Sequence, residues 1–222
     1  MLLNVPNILS QQETVTILRT LDEAGPSIWQ DGASSARGAA GTVKQNQQCD
    51  PKHPKVQEIL EKARLALLKS SAFVSATQPS AFSRLLINSY GPGMAYGNHL
   101  DAPYIRDVRT DISITLFLTP PTEYEGGDLV LTTSFCEMAV KGEQGGGFLY
   151  PSTHLHRVAP VTSGRRIAIV GWLKSKIQSP QQRELLFDLD RCSSDLMDDP
   201  ARQETYMRLL GIKNRLLRDW GE

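Results

Sequence analysis

Apolar residues along the chain fall into three successive patterns. Val15, Leu18 and Leu21 recur at helical intervals behind Ser10-Gln11-Gln12-Glu13, which has the spacing of a capping box, and Gly25 closes the segment. A helix over residues 11–23 is expected. Pro54 opens a second helix whose apolar face is Val56, Ile59, Leu60, Ala63 and Leu67, and which is expected to buttress a sheet. Between them, residues 25–50 are rich in Gly, Ala, Ser, Gln and Asn, with Trp29 and Val43 as large apolar anchors. That composition predicts a long loop or a pair of irregular strands.

From residue 80 onward the helical period gives way to short strands. Segments 82–90, 111–118, 127–132, 137–140, 147–150, 157–161 and 166–173 are rich in aliphatic or β-branched residues and fenced by Gly, Pro or Ser. Strands in this number, with no helices between them, predict an antiparallel sandwich or barrel, for which a double-sheet jelly roll is the natural closure. Beyond Ser179 the helical period returns. Ser179-Pro180 precede Leu185, Leu186 and Leu189, and Asp199-Pro200 precede Tyr206, Leu209, Leu210, Leu216, Leu217 and Trp220. These stripes are expected to lie on the sheet, with a homodimer interface as their alternative use. The fold class is therefore mainly β with flanking helices. We expect N-terminal helical support and a loop region over 1–79, a double-stranded β-helix (jelly-roll) core over 80–178, and a C-terminal helical extension over 179–222.

Composition narrows the function classes. The 24 Lys and Arg are matched by 24 Asp and Glu, so there is no basic footprint for nucleic acid or an anionic membrane. Cys49, Cys136 and Cys192 are widely separated and read as the reduced thiols of a cytoplasmic protein. The N-terminus lacks a basic region, and the apolar run 167–173 is far too short to span a bilayer, so neither a signal peptide nor a membrane segment is expected.

The stretch Tyr96-Gly97-Asn98-His99-Leu100-Asp101 carries the first chemical signal. A His and an Asp two residues apart project from the same side of an extended segment and can reach one ion. A second His would complete the two-histidine, one-carboxylate triad of non-haem Fe(II) oxygenases. Apart from His99 the histidines are His53, His154 and His156. His154 and His156 are expected to face opposite sides of their segment, so that only one can be a ligand. Arg166 selects His156: it follows ten positions later on the next strand, and its planar fork suits the far carboxylate of a dicarboxylate co-substrate.

At this point the chain resembles the Fe(II)- and 2-oxoglutarate-dependent dioxygenases, and within them the PKHD-type hydroxylases related to prolyl 4-hydroxylase. The resemblance rests on Val43-Lys44-Gln45-Asn46-Gln47-Gln48, the His99-Leu100-Asp101 stretch, Tyr124-Glu125-Gly126-Gly127-Asp128-Leu129-Val130, Leu149-Tyr150-Pro151-Ser152, His156-Arg157-Val158 and Gln182-Arg183-Glu184-Leu185-Leu186-Phe187-Asp188-Leu189. It covers nearly the whole chain. It implies Fe(II) held by His99, Asp101 and His156, 2-oxoglutarate held by Arg166, and L-ascorbate as reductant. It also implies hydroxylation of an unactivated C–H bond by O2, with 2-oxoglutarate decarboxylated to succinate and CO2. Tyr90, nine residues before His99, is a candidate hydroxyl donor to the co-substrate, against the use of a plain barrel-core tyrosine.

Two segments depart from the family's wording. Residues 142–147 are expected to alter only a hairpin, whereas 102–106 border the metal and bear on the substrate. Asp101 disfavours the halogenating relatives, which carry a small residue there, and Trp172 stands where the nucleobase-demethylating branch has a second Arg. The family's label suggests a prolyl or lysyl residue as prime substrate, with a free amino acid or another small metabolite equally open from the sequence. The competing readings are a jelly-roll binding or scaffold module with a vestigial or structural metal, and a zinc or manganese cupin-type enzyme, which has no need of Arg166.

Overall fold

Ser10 caps the first helix as its spacing predicts. Its hydroxyl accepts from the Glu13 amide, and the Glu13 carboxylate accepts from the Ser10 amide at 2.8 Å. The computed structural model describes residues 1–35 and 39–222. Its helices are α1 (Gln11–Ala24), α2 (Ala39–Thr42), α3 (Pro54–Lys69), α4 (Ser71–Thr77), α5 (Pro180–Ser194) and α6 (Gln203–Trp220). Pro54 and Pro180 sit in the first turns of α3 and α5, where their missing N–H costs nothing. The short α4, capped by the Ser70 hydroxyl, escapes the periodicity argument because seven residues show less than two full turns of pattern. No helix among the described residues is long and apolar enough to cross a membrane.

The strands before residue 100 are β1 (Leu3–Val5), β2 (Trp29–Asp31), β3 (Lys44–Gln45), β4 (Gln47–Cys49), β5 (Pro79–Tyr90) and β6 (Ala95–His99). There follow β7 (Tyr104–Ile105), β8 (Val108–Arg109), β9 (Ile112–Phe117), β10 (Tyr124–Gly126) and β11 (Leu129–Thr132). The last are β12 (Glu137–Val140), β13 (Gly147–Pro151), β14 (His156–Val158), β15 (Val161–Gly164) and β16 (Arg166–Ser175). They form a major sheet in the order β1-β13-β9-β16-β5-β4-β2 and a minor sheet in the order β12-β11-β14-β6-β3, with the two-stranded pairs β10-β15 and β7-β8 beside them. This is the expected double-sheet jelly roll flanked by helices.

Strand alternation divides the major sheet into two faces. Ile87, Ile112, Ile114, Leu116, Leu149, Ile167, Ile169 and Leu173 point outward and are buried against Ile17 and Leu21 of α1, Val56, Ile59, Ala63 and Leu67 of α3, and Phe73 of α4. Each such side chain, fully buried, is worth about 1.5–3 kcal/mol, so this layer carries most of the stability. The inner face turns Phe117, Phe148 and Tyr150 toward Leu129 and Leu131 of the minor sheet, and the remaining inward positions belong to the site.

Three details differ from expectation. The region before residue 80 does more than support: β1, β2 and β4 extend the major sheet and β3 pairs with β6 in the minor one. The strand expected over 157–161 is two, β14 and β15, broken at Ala159-Pro160. Proline has no N–H to give a ladder, and here the Pro160 carbonyl turns aside to accept from Gly127 at 3.1 Å. Finally, α6 lies on α5 rather than on the sheet, so its stripe is only half-buried, and its end is tied by a bridge between Gly221 and Ile177.

Candidate active site

His99 ends β6 and His156 begins β14, directly opposite each other across one rung of the minor sheet, with ring centroids 4.2 Å apart. Asp101 follows two residues after His99, and its Oδ2 lies 3.8 Å from His156 Nε2. One donor atom from each of the three lies within 4.8 Å of the others, close enough for all to bind one ion. The Nδ1 of each imidazole is 2.9 Å from a backbone carbonyl two residues back, Gly97 for His99 and His154 for His156. A carbonyl only accepts, so each Nδ1 carries a proton, and Nε2 is the nitrogen each ring can offer as a ligand. Burial first, then the facing His156, lowers the His99 pKa to about 4, so this ring is neutral and ready to ligate at physiological pH.

The carboxylate is oriented as well. The Ser113 hydroxyl, on β9, donates to Asp101 Oδ2 at 2.6 Å and lies 2.8 Å from the Ser152 hydroxyl. Hydrogen bonds of this kind fix a ligand's direction before the metal arrives. Ser113 does not stand out in the sequence, and Ser152 does so only as the end of the Leu149–Ser152 motif, with no role attached. The signal that could have found Ser113 is the alternation of Ile112, Ile114 and Leu116 with Ser113 and Thr115, which puts polar groups on a buried inner face.

His156 rather than His154 joins the cluster, but not for the expected reason. Residues two apart in a regular strand share a face. The chain instead reaches β14 through a turn in which the His154 amide donates to the Pro151 carbonyl at 3.0 Å, so the strand starts only at His156. His154 contributes its carbonyl to the site, and its imidazole stays outside the donor cluster.

Arg166 opens β16 opposite Tyr90, the last residue of β5. It is 1% exposed, and Nε and both terminal nitrogens have no hydrogen-bond partner among the described residues. Its guanidinium carbon lies 5.4 Å from the Tyr90 ring centre and 5.7 Å from that of Phe117. Aromatic faces moderate the cost of burying a cation, but they leave its five N–H donors unused. A buried arginine in that condition fits an anionic ligand. Two tyrosines flank it. Burial raises the Tyr90 pKa to about 12, so its hydroxyl keeps its proton and can donate. Tyr124 also has a buried hydroxyl without a hydrogen-bond partner among the described residues, close enough for the Arg166 charge to act on it; in the sequence it heads a motif but carries no assigned role. Gly127 makes the room: at φ +68°, a Cβ there would lie 3.0 Å from Arg166 Cδ and 2.9 Å from Val161.

The triad, Arg166 and Tyr90 line a single cavity of about 600 Å³. Lys44, Gln48 and Asn88 from the first half of the chain also face it, which explains the place of residues 43–48 among the motifs. The segment after Asp101 forms the β7-β8 hairpin, and Tyr104, Ile105 and Arg106 from it wall the mouth, as the departure at 102–106 suggested. Residues 142–147 were expected to alter only a hairpin, but they are no hairpin turn: they carry the chain from β12 of the minor sheet to β13 of the major one, docked where the Gly145 carbonyl accepts from the Leu9 amide at 3.0 Å and the Gln144 side chain donates to the Leu118 carbonyl at 2.9 Å.

Comparison with known proteins fits this geometry. Residues 85–174 match the model of the 2OG-Fe(II) oxygenase superfamily. Over its full length the chain is 39% identical to a PKHD-type hydroxylase of Picosynechococcus sp., with both chains covered completely. The chain belongs to the PKHD-type hydroxylases. A second member of that family, from Shewanella sp. strain MR-7, is 40% identical over 227 residues, again covering both chains. Among solved structures, a Pseudomonas putida prolyl-4-hydroxylase superposes with a TM-score of 0.55 at 19% identity, covering 78% of this chain and 92% of its own. A Trichoplax adhaerens prolyl hydroxylase superposes at 0.57 and 16%, covering 83% and 86%. These likenesses establish the shared jelly roll.

PKHD-type hydroxylases use Fe(II) and 2-oxoglutarate, with ascorbate as the usual reductant. The residues present suit both. Two imidazoles and one carboxylate are the donor set for a non-haem ferrous ion with open positions, and Arg166, without a hydrogen-bond partner among the described residues, suits a carboxylate at the inner end of the cavity.

Proposed function

We propose that His99, Asp101 and His156 hold Fe(II), that Arg166 binds the far carboxylate of 2-oxoglutarate, and that the enzyme hydroxylates a C–H bond of an amino-acid or peptidyl substrate, a prolyl residue being the family's precedent. The observation that carries the assignment is the buried, partnerless Arg166 on the wall of the cavity that also holds the triad. Bound together, iron, 2-oxoglutarate and O2 supply an oxidant able to attack an unactivated C–H bond, with succinate and CO2 as co-products.

The protein's own part is positioning. The Gly97 and His154 carbonyls aim the two Nε2 lone pairs at one point, and Ser113 sets the plane of the carboxylate. Arg166 anchors the co-substrate in register with that point by a charge-assisted pair. Tyr90 donates its hydroxyl to the same carboxylate, a role supported by its place opposite Arg166. Leu129, Val158 and Tyr150 keep water from the inner cavity. Three free cysteines and the lack of a membrane-crossing helix among the described residues support a cytoplasmic enzyme.

The test is an anaerobic titration of the apoprotein with Fe(II) and then 2-oxoglutarate. A weak visible charge-transfer band from a chelated keto acid is expected in the wild type and not in Asp101→Ala. Iron binding without any band would remove Arg166 from its assigned role.

A further inference from the structure

The inner face of β5 and β16 is a ladder with a cation at each end. Alternate residues of the two strands face the cavity in register: Tyr90 opposite Arg166 at one end, then Leu86 opposite Val170, then Arg84 opposite Trp172 at the other. The two ends are six residues apart along each strand, roughly 20 Å at the usual rise. That is far more than the length of a five-carbon acid. A keto acid anchored on Arg166 and reaching the triad leaves the Arg84 end of the ladder to another ligand.

That end carries donors without acceptors. Arg84 Nε and Trp172 Nε1 are both buried and have no hydrogen-bond partner among the described residues. Unpaired buried N–H groups on a cavity wall call for a ligand that accepts. The cavity's charges add a sign. Among the described residues its lining carries Arg84, Arg106 and Arg166, with Lys44 engaged over the Tyr96 ring, against one carboxylate, Asp101. Fe(II) with Asp101, and Arg166 with the two carboxylates of 2-oxoglutarate, sum to zero. Arg84 and Arg106 then face the remaining space as uncompensated cations, near enough that the Arg106 charge opposes that of Arg84. Asp107, beside Arg106 on the hairpin turn, is exposed and does not line the cavity.

We infer that Arg84, with Trp172 Nε1 and Arg106, binds an oxyanion of the prime substrate, which is therefore a small acid bearing a carboxylate or phosphate rather than an uncharged residue inside a peptide chain. Arg84 supplies the planar fork, the indole N–H a third donor, and Arg106 a charge at the entrance. Substrate enters past the β7-β8 hairpin with its anionic end on Arg84, which directs its other end inward toward the triad. This deepens the proposed function and rests on it for the direction of binding, but not for the anion site itself.

The test is calorimetry on protein saturated with Mn(II) and 2-oxoglutarate in low-chloride buffer, titrated with N-acetyl-L-leucine, its neutral amide, and phenyl phosphate. At least one of the two anions should bind ten-fold or more tightly than the amide, and the stronger of them identifies the oxyanion. Arg84→Gln should lose that preference while 2-oxoglutarate binds as before, which also shows that the variant is folded; Arg84→Lys should keep part of it. Equal binding of the anions and the amide, or no binding of any probe, would overturn the inference. So would weakened 2-oxoglutarate binding in Arg84→Gln, since it would put that guanidinium on the co-substrate. If 2-oxoglutarate fails to bind the wild type while the anion preference at Arg84 persists, the cofactor assignment falls and the anion site stands.

Discussion

Ser113 donates its hydroxyl to Asp101 Oδ2 at 2.6 Å, linking the strand that forms the floor of the site to the carboxylate that stands above it. A carboxylate held this way meets the metal already oriented. Ser113→Ala should weaken metal binding by about 10- to 100-fold, whereas Asp101→Ala should abolish it. Competitive titration of Fe(II) or Mn(II) against a chromophoric chelator measures both. Equal affinity in Ser113→Ala and wild type would make the hydrogen bond incidental.

The two neighbouring histidines should behave very differently. His156→Ala removes a donor and should eliminate both metal binding and 2-oxoglutarate turnover. His154→Ala leaves the carbonyl that holds His156 Nδ1 and should reduce turnover only modestly. Succinate release in the two variants gives the comparison, and the opposite order would assign the ligand to the wrong side of the turn.

Arg166→Met should leave the metal site intact but cost about 3–5 kcal/mol of 2-oxoglutarate binding, the range for removing one partner of a buried charge pair. Tyr90→Phe deletes one hydroxyl and should cost about 1 kcal/mol. Anaerobic titration of the Fe(II) protein separates these effects from any change in metal affinity. An unchanged co-substrate affinity in Arg166→Met would place the carboxylate elsewhere.

Cys49 differs from the other thiols in reactivity. Burial pushes its pKa up to about 12, so at pH 8 almost none is thiolate, while Cys136 and Cys192 are exposed. Iodoacetamide at pH 8 should label Cys136 and Cys192 in the folded protein and all three after denaturation, as read by peptide mass mapping.

Much of the fold and site is legible in the sequence, and the parts that are not have physical causes. The His99-x-Asp101 pair announces itself because a two-residue spacing on a strand is enough to put both side chains on one ion, and Arg166 is legible as a cation in a strand otherwise made of Ile, Ala, Val and Trp. Ser113 is invisible, and Ser152 and Tyr124 stand in motifs without a role, for the converse reason: hydroxyls in strands are common, and only the pairing of β9 with β13 brings the two serines together. The separation of His154 from His156 depends on a turn whose hydrogen bond no periodicity reveals. The helices were found wherever a cap and two or more turns of pattern coincided. Where α6 would lie was not, because an apolar stripe specifies that something covers it and not what.

The rung that joins His99 to His156 has a thermodynamic consequence. In the unfolded chain only Asp101 stays near His99, and the second imidazole arrives only when β6 and β14 pair. Metal affinity is therefore largely a property of the folded state, and by linkage the metal stabilises that state, by about 2.7 kcal/mol at a free concentration 100 times its dissociation constant. Adding Mn(II) should raise the melting temperature, and a strong chelator should lower it again. The minor sheet would then be firmest when the enzyme is loaded, and loss of iron would be felt first as a loosening of the pairing between β6 and β14.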